Sequence, residues 1–107
     1  MALAIKDLGT GQLAATKGTL YTTPAATQTI VKSITLVNTD TSARTVNLYK
    51  KADGTNSRRF IPKDLSIAAG AQFEWEGVTT LEAGDLIEGD ASVATKVDYV
   101  INGTEES

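Results

Sequence analysis

The side chains best suited to chemistry in this chain are carboxylates in pairs. Glu74 and Glu76 stand two positions apart, alternating with Phe73 and Trp75, and Glu88 and Asp90 repeat the spacing. Two carboxyls on one strand face could act as acid and base in glycoside hydrolysis. An exposed strand face uses the same spacing to stay soluble. That reading outweighs catalysis, because a cleft for a sugar chain is hard to build in 107 residues. Asp85, Glu88 and Asp90, near Gly84 and Gly89, offer oxygen ligands of the kind Ca²⁺ takes, but their spacing matches no calcium loop. Histidine and cysteine do not occur. Their absence removes the common nucleophile–base triads, thiolate nucleophiles, disulfides and the usual zinc ligands. No Gly-Lys-Ser/Thr phosphate loop is present, and no G-x-G-x-x-G leads from a strand into a helix. The chain is therefore expected not to be an enzyme, and to need no cofactor and no metal.

The second cluster is basic. Lys50, Lys51, Arg58, Arg59 and Lys63 flank the dipeptide Asp53-Gly54, whose residues tolerate the positive φ of a hairpin turn. A hairpin there would gather these cations at one end of the domain, where they could dock on an acidic protein surface. Nucleic acid fits less well, since no aromatic residues are interleaved with the charges. The formal charge is −3, from 10 basic and 13 acidic residues, which disfavours phosphate-driven binding. No run approaches the roughly 18 apolar residues of a membrane helix. The opening Met1-Ala2-Leu3-Ala4-Ile5-Lys6 lacks the long apolar core of a secretory signal. The expected partners are thus proteins, neither nucleic acid nor membrane.

Elements that would carry these side chains are all strands. Ile67-Ala68-Ala69-Gly70 and Leu81-Glu82-Ala83-Gly84 repeat one phrase, an aliphatic residue leading to an Ala-Gly turn. Gln28 to Asn38 reads as a long central strand, with Ile30, Ile34 and Leu36 on one face and Val31, Thr35 and Val37 on the other. Arg44 to Lys51 alternates, placing Val46 and Leu48 inward and Asn47 and Tyr49 outward. Leu86 to Ala91 and Lys96 to Asn102 complete a set of eight or nine strands. No helix pattern is found. The expected fold is all-β, an antiparallel β-sandwich of Ig-like or jelly-roll-like type. With only six aromatic residues (one Trp, three Tyr, two Phe), its core must be aliphatic, and Trp75 reads as a core anchor. The expected domains are an extended arm over residues 1–17, the sandwich over 18–104, and a solvated tail over 105–107. Leu3, Ile5, Leu8 and Leu13 are too many apolar residues for a purely solvated arm. They are expected to lie on a neighbouring molecule, and the arm is expected to be dispensable for folding. Together with Lys50, Lys51, Arg58 and Arg59 they form the expected protein interface, and the chain is expected to form homo-oligomers.

Several phrases occur together: Thr19-Leu20-Tyr21-Thr22-Thr23-Pro24-Ala25, Val31 to Thr39, Arg44 to Tyr49, Arg59 to Gly70, Leu81 to Asp85, and Val97 to Glu105. Read as one string, they resemble small all-β virion structural proteins of tailed bacteriophages, of head-decoration or tail type. The resemblance spans about four-fifths of the chain and rests on turn-and-strand phrases, so it transfers no site residues. It implies a virion structural protein, made in the host cytoplasm, that binds a major capsid or tail protein. Head decoration is the leading expectation, with a tail or neck position next. A carbohydrate- or receptor-binding sandwich is the rival from another class, and would need exposed aromatics.

Overall fold

The structure, a computed structural model, describes residues 3–52 and 56–107. The Asp53-Gly54 turn lies outside the described residues. Nine strands follow one another: β1 Leu3–Gln12, β2 Gly18–Thr22, β3 Gln28–Asn38, β4 Arg44–Lys51, β5 Ser57–Arg59, β6 Leu65–Ile67, β7 Gln72–Leu81, β8 Leu86–Ala91 and β9 Val97–Glu106. They form two antiparallel sheets. One has the order β1-β9-β3-β7; the other runs β2-β8-β4-β5, with β6 also on β4. Strands β5 and β6 pair with opposite ends of the same side of β4, at Tyr49–Lys51 and Arg44–Val46. They act as one interrupted edge strand. The chain changes sheet at nearly every connection, and the first and last strands are neighbours. That is the double-sheet arrangement of a jelly roll.

Alternation of apolar and polar residues explains the core. Ile34, Leu36, Val46, Leu48, Ile87 and Ile101 are fully buried between the sheets. On the flank, Phe60 meets Trp75 edge-on, ring centroids 5.3 Å apart, so Trp75 does anchor the core. The repeated Ala-Gly phrase makes the same turn twice. Ala71 N–H donates to the Ala68 carbonyl and Asp85 N–H to the Glu82 carbonyl. Gly70 and Gly84 take positive φ, 72° and 88°, as the third position of a type II turn requires.

Strand β3 departs from the expected pattern. Ile30 is exposed, while Val31 and Ile34 are both in the core. The register with β9 shifts between Val31 and Ser33, so Lys32 is an extra residue and the facing changes phase there. The irregularity crosses the whole sheet. On β1 the register shifts between Asp7 and Gly9, and on β7 Gly77 and Val78 both lie opposite Lys32. At the same level on β9 sits Gly103, where an added Cβ would stand 2.1 Å from the Ile30 carbonyl oxygen and 2.8 Å from Leu8.

The expectation of a separate arm is corrected. Residues 3–12 are β1, paired with β9 along their length. Leu13 then donates its N–H to Val97, and Ala14 accepts from Ala91 in the other sheet. The segment therefore passes from the edge of one sheet to the edge of the other. Leu8 and Leu13 point into the core, at 9% and 0% exposure. The bulge is the physical reason that strand periodicity was hidden: Leu8 is inserted between Asp7 and Gly9, so no single alternation runs through them. The tail is corrected likewise, because β9 extends to Glu106.

Two outcomes are expected in urea or thermal melts. Gly103→Ala should cost more than about 2 kcal/mol, because backbone cannot yield as a side-chain tip can. Gly18→Ala, whose added Cβ would meet nothing nearer than 3.9 Å, should stay within about 0.5 kcal/mol. Deleting residues 2–15 should abolish the cooperative transition. Burial of Leu8 and Leu13 alone is worth about 1.5–3 kcal/mol each, against a total stability of roughly 5–15 kcal/mol. A truncated chain that melts like the full one would restore the separate arm.

Candidate assembly surfaces

Three surfaces are built by the strands: two outward faces and one end of the sandwich. Residues opposite one another in an antiparallel ladder share a face, so the register assigns the sides. Outward on the β1-β9-β3-β7 sheet stand the rows Thr10, Val100, Thr35, Glu74 and Asp7, Asn102, Ser33, Glu76. Past the bulges follow Ile5, Thr104, Ile30 and Thr80. This last row, with Val78, is the apolar part of the face: Ile5 is 90%, Val78 63% and Ile30 37% exposed. A cleft of about 100 Å³ lies beside it, lined by Gln28, Ile30, Thr80, Thr104 and Glu106.

The outward face of the other sheet is a polar network. Tyr49 and Asn47 project there as the sequence suggests, but both are buried. Asn47 Nδ2 donates to Asp90 at 2.8 Å and Asp64 at 3.0 Å, and its Oδ1 accepts from the Asp64 N–H and from Arg59. Tyr49 donates its hydroxyl to Asp90. Ser57 donates to Glu88 and accepts from Lys17. Lys17 and Arg59 also sit over the Tyr49 ring, at 5.1 Å and 4.9 Å. Burial, and then the Asp90 carboxylate, raise the Tyr49 pKa. Glu88 and Asp90 are therefore structural acceptors, and Asn47 ties down the 60–64 segment that interrupts the edge strand. Among the described residues no carboxylate group is placed to hold a metal ion.

At the end of the sandwich, Tyr21 hydrogen-bonds Thr29 at 2.7 Å and donates to Glu105, which also takes Lys6 at 3.1 Å. Burial, then the Glu105 carboxylate, push the Tyr21 pKa up to about 12. The Tyr21 hydroxyl in turn lowers that of Glu105. On the neighbouring rim Lys50 lies opposite Arg58, and Tyr49 opposite Arg59. Lys50, Ala52, Asn56 and Arg58 line an open cleft of about 430 Å³. Lys50 also donates to the Thr80 carbonyl at 2.8 Å, which joins the two sheets and blocks part of the β7 edge.

Of the residues expected at an interface, Ile5 is exposed, while Leu8 and Leu13 belong to the core. Leu3 opens β1. Lys50, Lys51, Arg58 and Arg59 gather on the β4–β5 pair but divide between its sides: Lys51 and Arg59 share the outward side with Tyr49, and Lys50 lies opposite Arg58 in the alternate register. The acidic residues Asp7, Asp98 and Glu106 were missed, because only the register places them on one face with Glu74 and Glu76. The aromatics that a sugar-binding reading needs are committed elsewhere. Tyr21 and Tyr49 are buried, and Trp75 and Tyr99 pack against the core.

No model of a known protein family matches the sequence, and no curated protein matches it. Solved structures do share the fold. A chain from Bacillus endospore appendages, a novel family of disulfide-linked pili, matches at a TM-score of 0.61 and 13% identity, covering 98% of this chain and 88% of that one. A chain of infectious bursal disease virus, Gx strain, matches at 0.53 and 10% identity, covering 97% of this chain and 32% of that one. A pentameric capsid protein isolated from metagenomic phage sequences reaches 0.40, too low to carry an argument. What the first two likenesses share with the chain is the all-β sandwich fold. Without cysteine, this chain cannot use the disulfide linkage of the appendages.

The Tyr21 network gives a pH test. In the unfolded chain Tyr21 ionises near 10, and in the fold near 12. Its contribution to stability is therefore complete below pH 10 and is lost as pH rises toward 12. Glu105 has the opposite sign: its folded pKa is lowered from 4.5, so its contribution is present above that value and fades as pH falls through the lowered one. Tyr21→Phe should cost about 1–2 kcal/mol at neutral pH and flatten the alkaline loss in melts between pH 10 and 12. An alkaline loss identical to that of the parent would show that Tyr21 does not carry it.

Proposed function

We propose that the chain is a bacteriophage virion structural protein, an accessory module that decorates the head surface. It binds other virion proteins and copies of itself, and catalyses nothing. The observation that carries this reading is the fold: a two-sheet jelly roll whose inward residues fill a core and whose outward polar groups hold its own loops. That architecture recurs in viral shells. The likenesses to a virus chain and to an appendage chain support an assembling subunit. The resemblance of the strand and turn phrases to tailed-phage virion proteins supports the particle. Decoration needs no active site, since many weak contacts repeated by symmetry give tight binding.

The likeness to an appendage chain favours a second reading, a tail or neck position, since those parts are also built by stacking. Mass spectrometry of purified particles tests the shared claim: the chain should be present in stoichiometric amounts, and its absence would overturn both. Antibody labelling of intact particles and tail-less heads then separates them. Label retained on tail-less heads supports decoration, and label lost with the tails supports the second reading.

A further inference from the structure

We propose that copies of this chain bind one another face to face, the outward surface of the β1-β9-β3-β7 sheet of one copy lying on the outward surface of the β2-β8-β4-β5 sheet of the next. The inference rests on the reading of the chain as an assembly subunit and names its partner. It is carried by the distribution of charge between the two faces.

The register puts Asp7, Glu74, Glu76, Asp98 and Glu106 on the first face. Lys32, exposed at the β3 bulge, is the one cation among the described residues of that face. Asp7 hydrogen-bonds the Gly9 N–H and the Thr10 hydroxyl, and Asp98 accepts from Gln12, all neutral groups. Among the described residues no ion pair offsets either carboxylate.

The second face has the reverse layering. Its acids Glu88 and Asp90 lie low, held by Ser57, Asn47 and Tyr49. Above them stand Lys17 and Arg59, both exposed, over the Tyr49 ring. Lys51 shares their side, opposite Ser57. Asp64, at the rim, is the exposed carboxylate. A surface approaching this sheet meets cations first. The chain's net charge of −3 thus conceals an acidic face on one side of the sandwich and, on the other, a charge-balanced face whose outer layer is cationic.

An acidic face and a face topped by cations complement a translated copy of the same molecule. Two acidic faces repel, so a two-fold dimer through that face is disfavoured. The contact is heterologous: each copy offers its acidic face on one side and its cation-topped face on the other, which gives rings or stacks rather than closed pairs. The exposed Ile5, Ile30 and Val78 lie on the acidic face, so the same contact would remove them from water. Attraction between exposed charges is screened over about 10 Å at ~0.1 M salt, so the contact should depend strongly on salt.

The test uses the purified full chain and two charge-reversed forms, Glu74→Lys/Glu76→Lys and Lys17→Glu/Lys51→Glu. Melting curves first establish that each folds. In sedimentation velocity at low salt the parent should associate, and association should weaken on going from ~20 mM to ~300 mM salt. Each reversed form has lost the charge complementarity of one of its two faces and should associate roughly tenfold more weakly than the parent. Mixed in equal amounts, they present complementary pairs again and should co-sediment. A parent that stays monomeric at low salt overturns the proposal, as does a folded reversed form that associates like the parent, or a mixture that does not associate. None of these outcomes touches the virion reading, which stands or falls on the composition of the particles.

Discussion

At Gly103 the backbone of β9 lies so close to β3 and β1 that no side chain fits between them. An added Cβ would stand 2.1 Å from the Ile30 carbonyl oxygen. This closeness occurs where the other three strands of the sheet are irregular, with Leu8 inserted on β1, Lys32 on β3 and Gly77-Val78 on β7. A single inserted residue reverses the facing of its own strand, so β1 and β3 change phase at the same level while β9 between them keeps its alternation. On one side of the line Ile34 and Ile101 face the core, and on the other Val31 and Thr29 do. Without the shift, Ile30 would take an inward place and Val31 an outward one. The line thus decides which aliphatic residues make the core and which remain on the surface.

The distal part of the sheet depends on that line. There the inward row is polar as well as apolar: Thr29 and Glu105 face Tyr21 of the other sheet, and Lys6 completes the group. A buried tyrosine hydroxyl between a threonine and a carboxylate is stable only because each polar atom has a partner. Lys50 spans the sheets nearby, its ammonium on the Thr80 carbonyl. Polar side chains therefore share this end of the core with the fully buried Leu81 and Ile87. Ile5, Ile30 and Val78, turned outward by the same line, form its exposed apolar surface.

Much of this was legible in the sequence, and the limits are physical. Strands β3, β4 and β8 were bounded correctly, because alternation and turn residues are local signals. The paired Ala-Gly turns were legible for the same reason. The inward set of β3 was not, because a bulge changes the phase and leaves no mark in a single strand. Strand β1 failed similarly: Leu8 breaks its alternation, and Gly9 and Gly11 look like breakers while in fact Gly11 gives room to the Tyr99 ring. Burial of Asn47 was hidden too, since it depends on Arg59 and Asp64, which fold back over β4 from beyond the turn. Of the expected interface, Ile5 and the cations gathered on β4 and β5 could be read locally. The acidic face could not, since its members come from four strands and meet only through the register.

Charge in this chain is sorted by depth as well as by side. On the β2-β8-β4-β5 face the carboxylates were given hydrogen bonds from Asn47, Tyr49 and Ser57, and long cationic side chains lie over them. A carboxylate held that way contributes to folding through bonds made inside the molecule, while the surface above it stays cationic. On the β1-β9-β3-β7 face Glu74 and Glu76 stand exposed and make no ion pair among the described residues. They contribute little to the fold, since removing an exposed charge seldom matters to stability. While Asp7 and Asp98 of the acidic face hold groups of β1, the acceptors Glu88 and Asp90 thus lie on the side opposite the free Glu74 and Glu76. A sandwich whose only requirement was solubility would have no reason to separate them, because mixed surface charge serves solubility equally well.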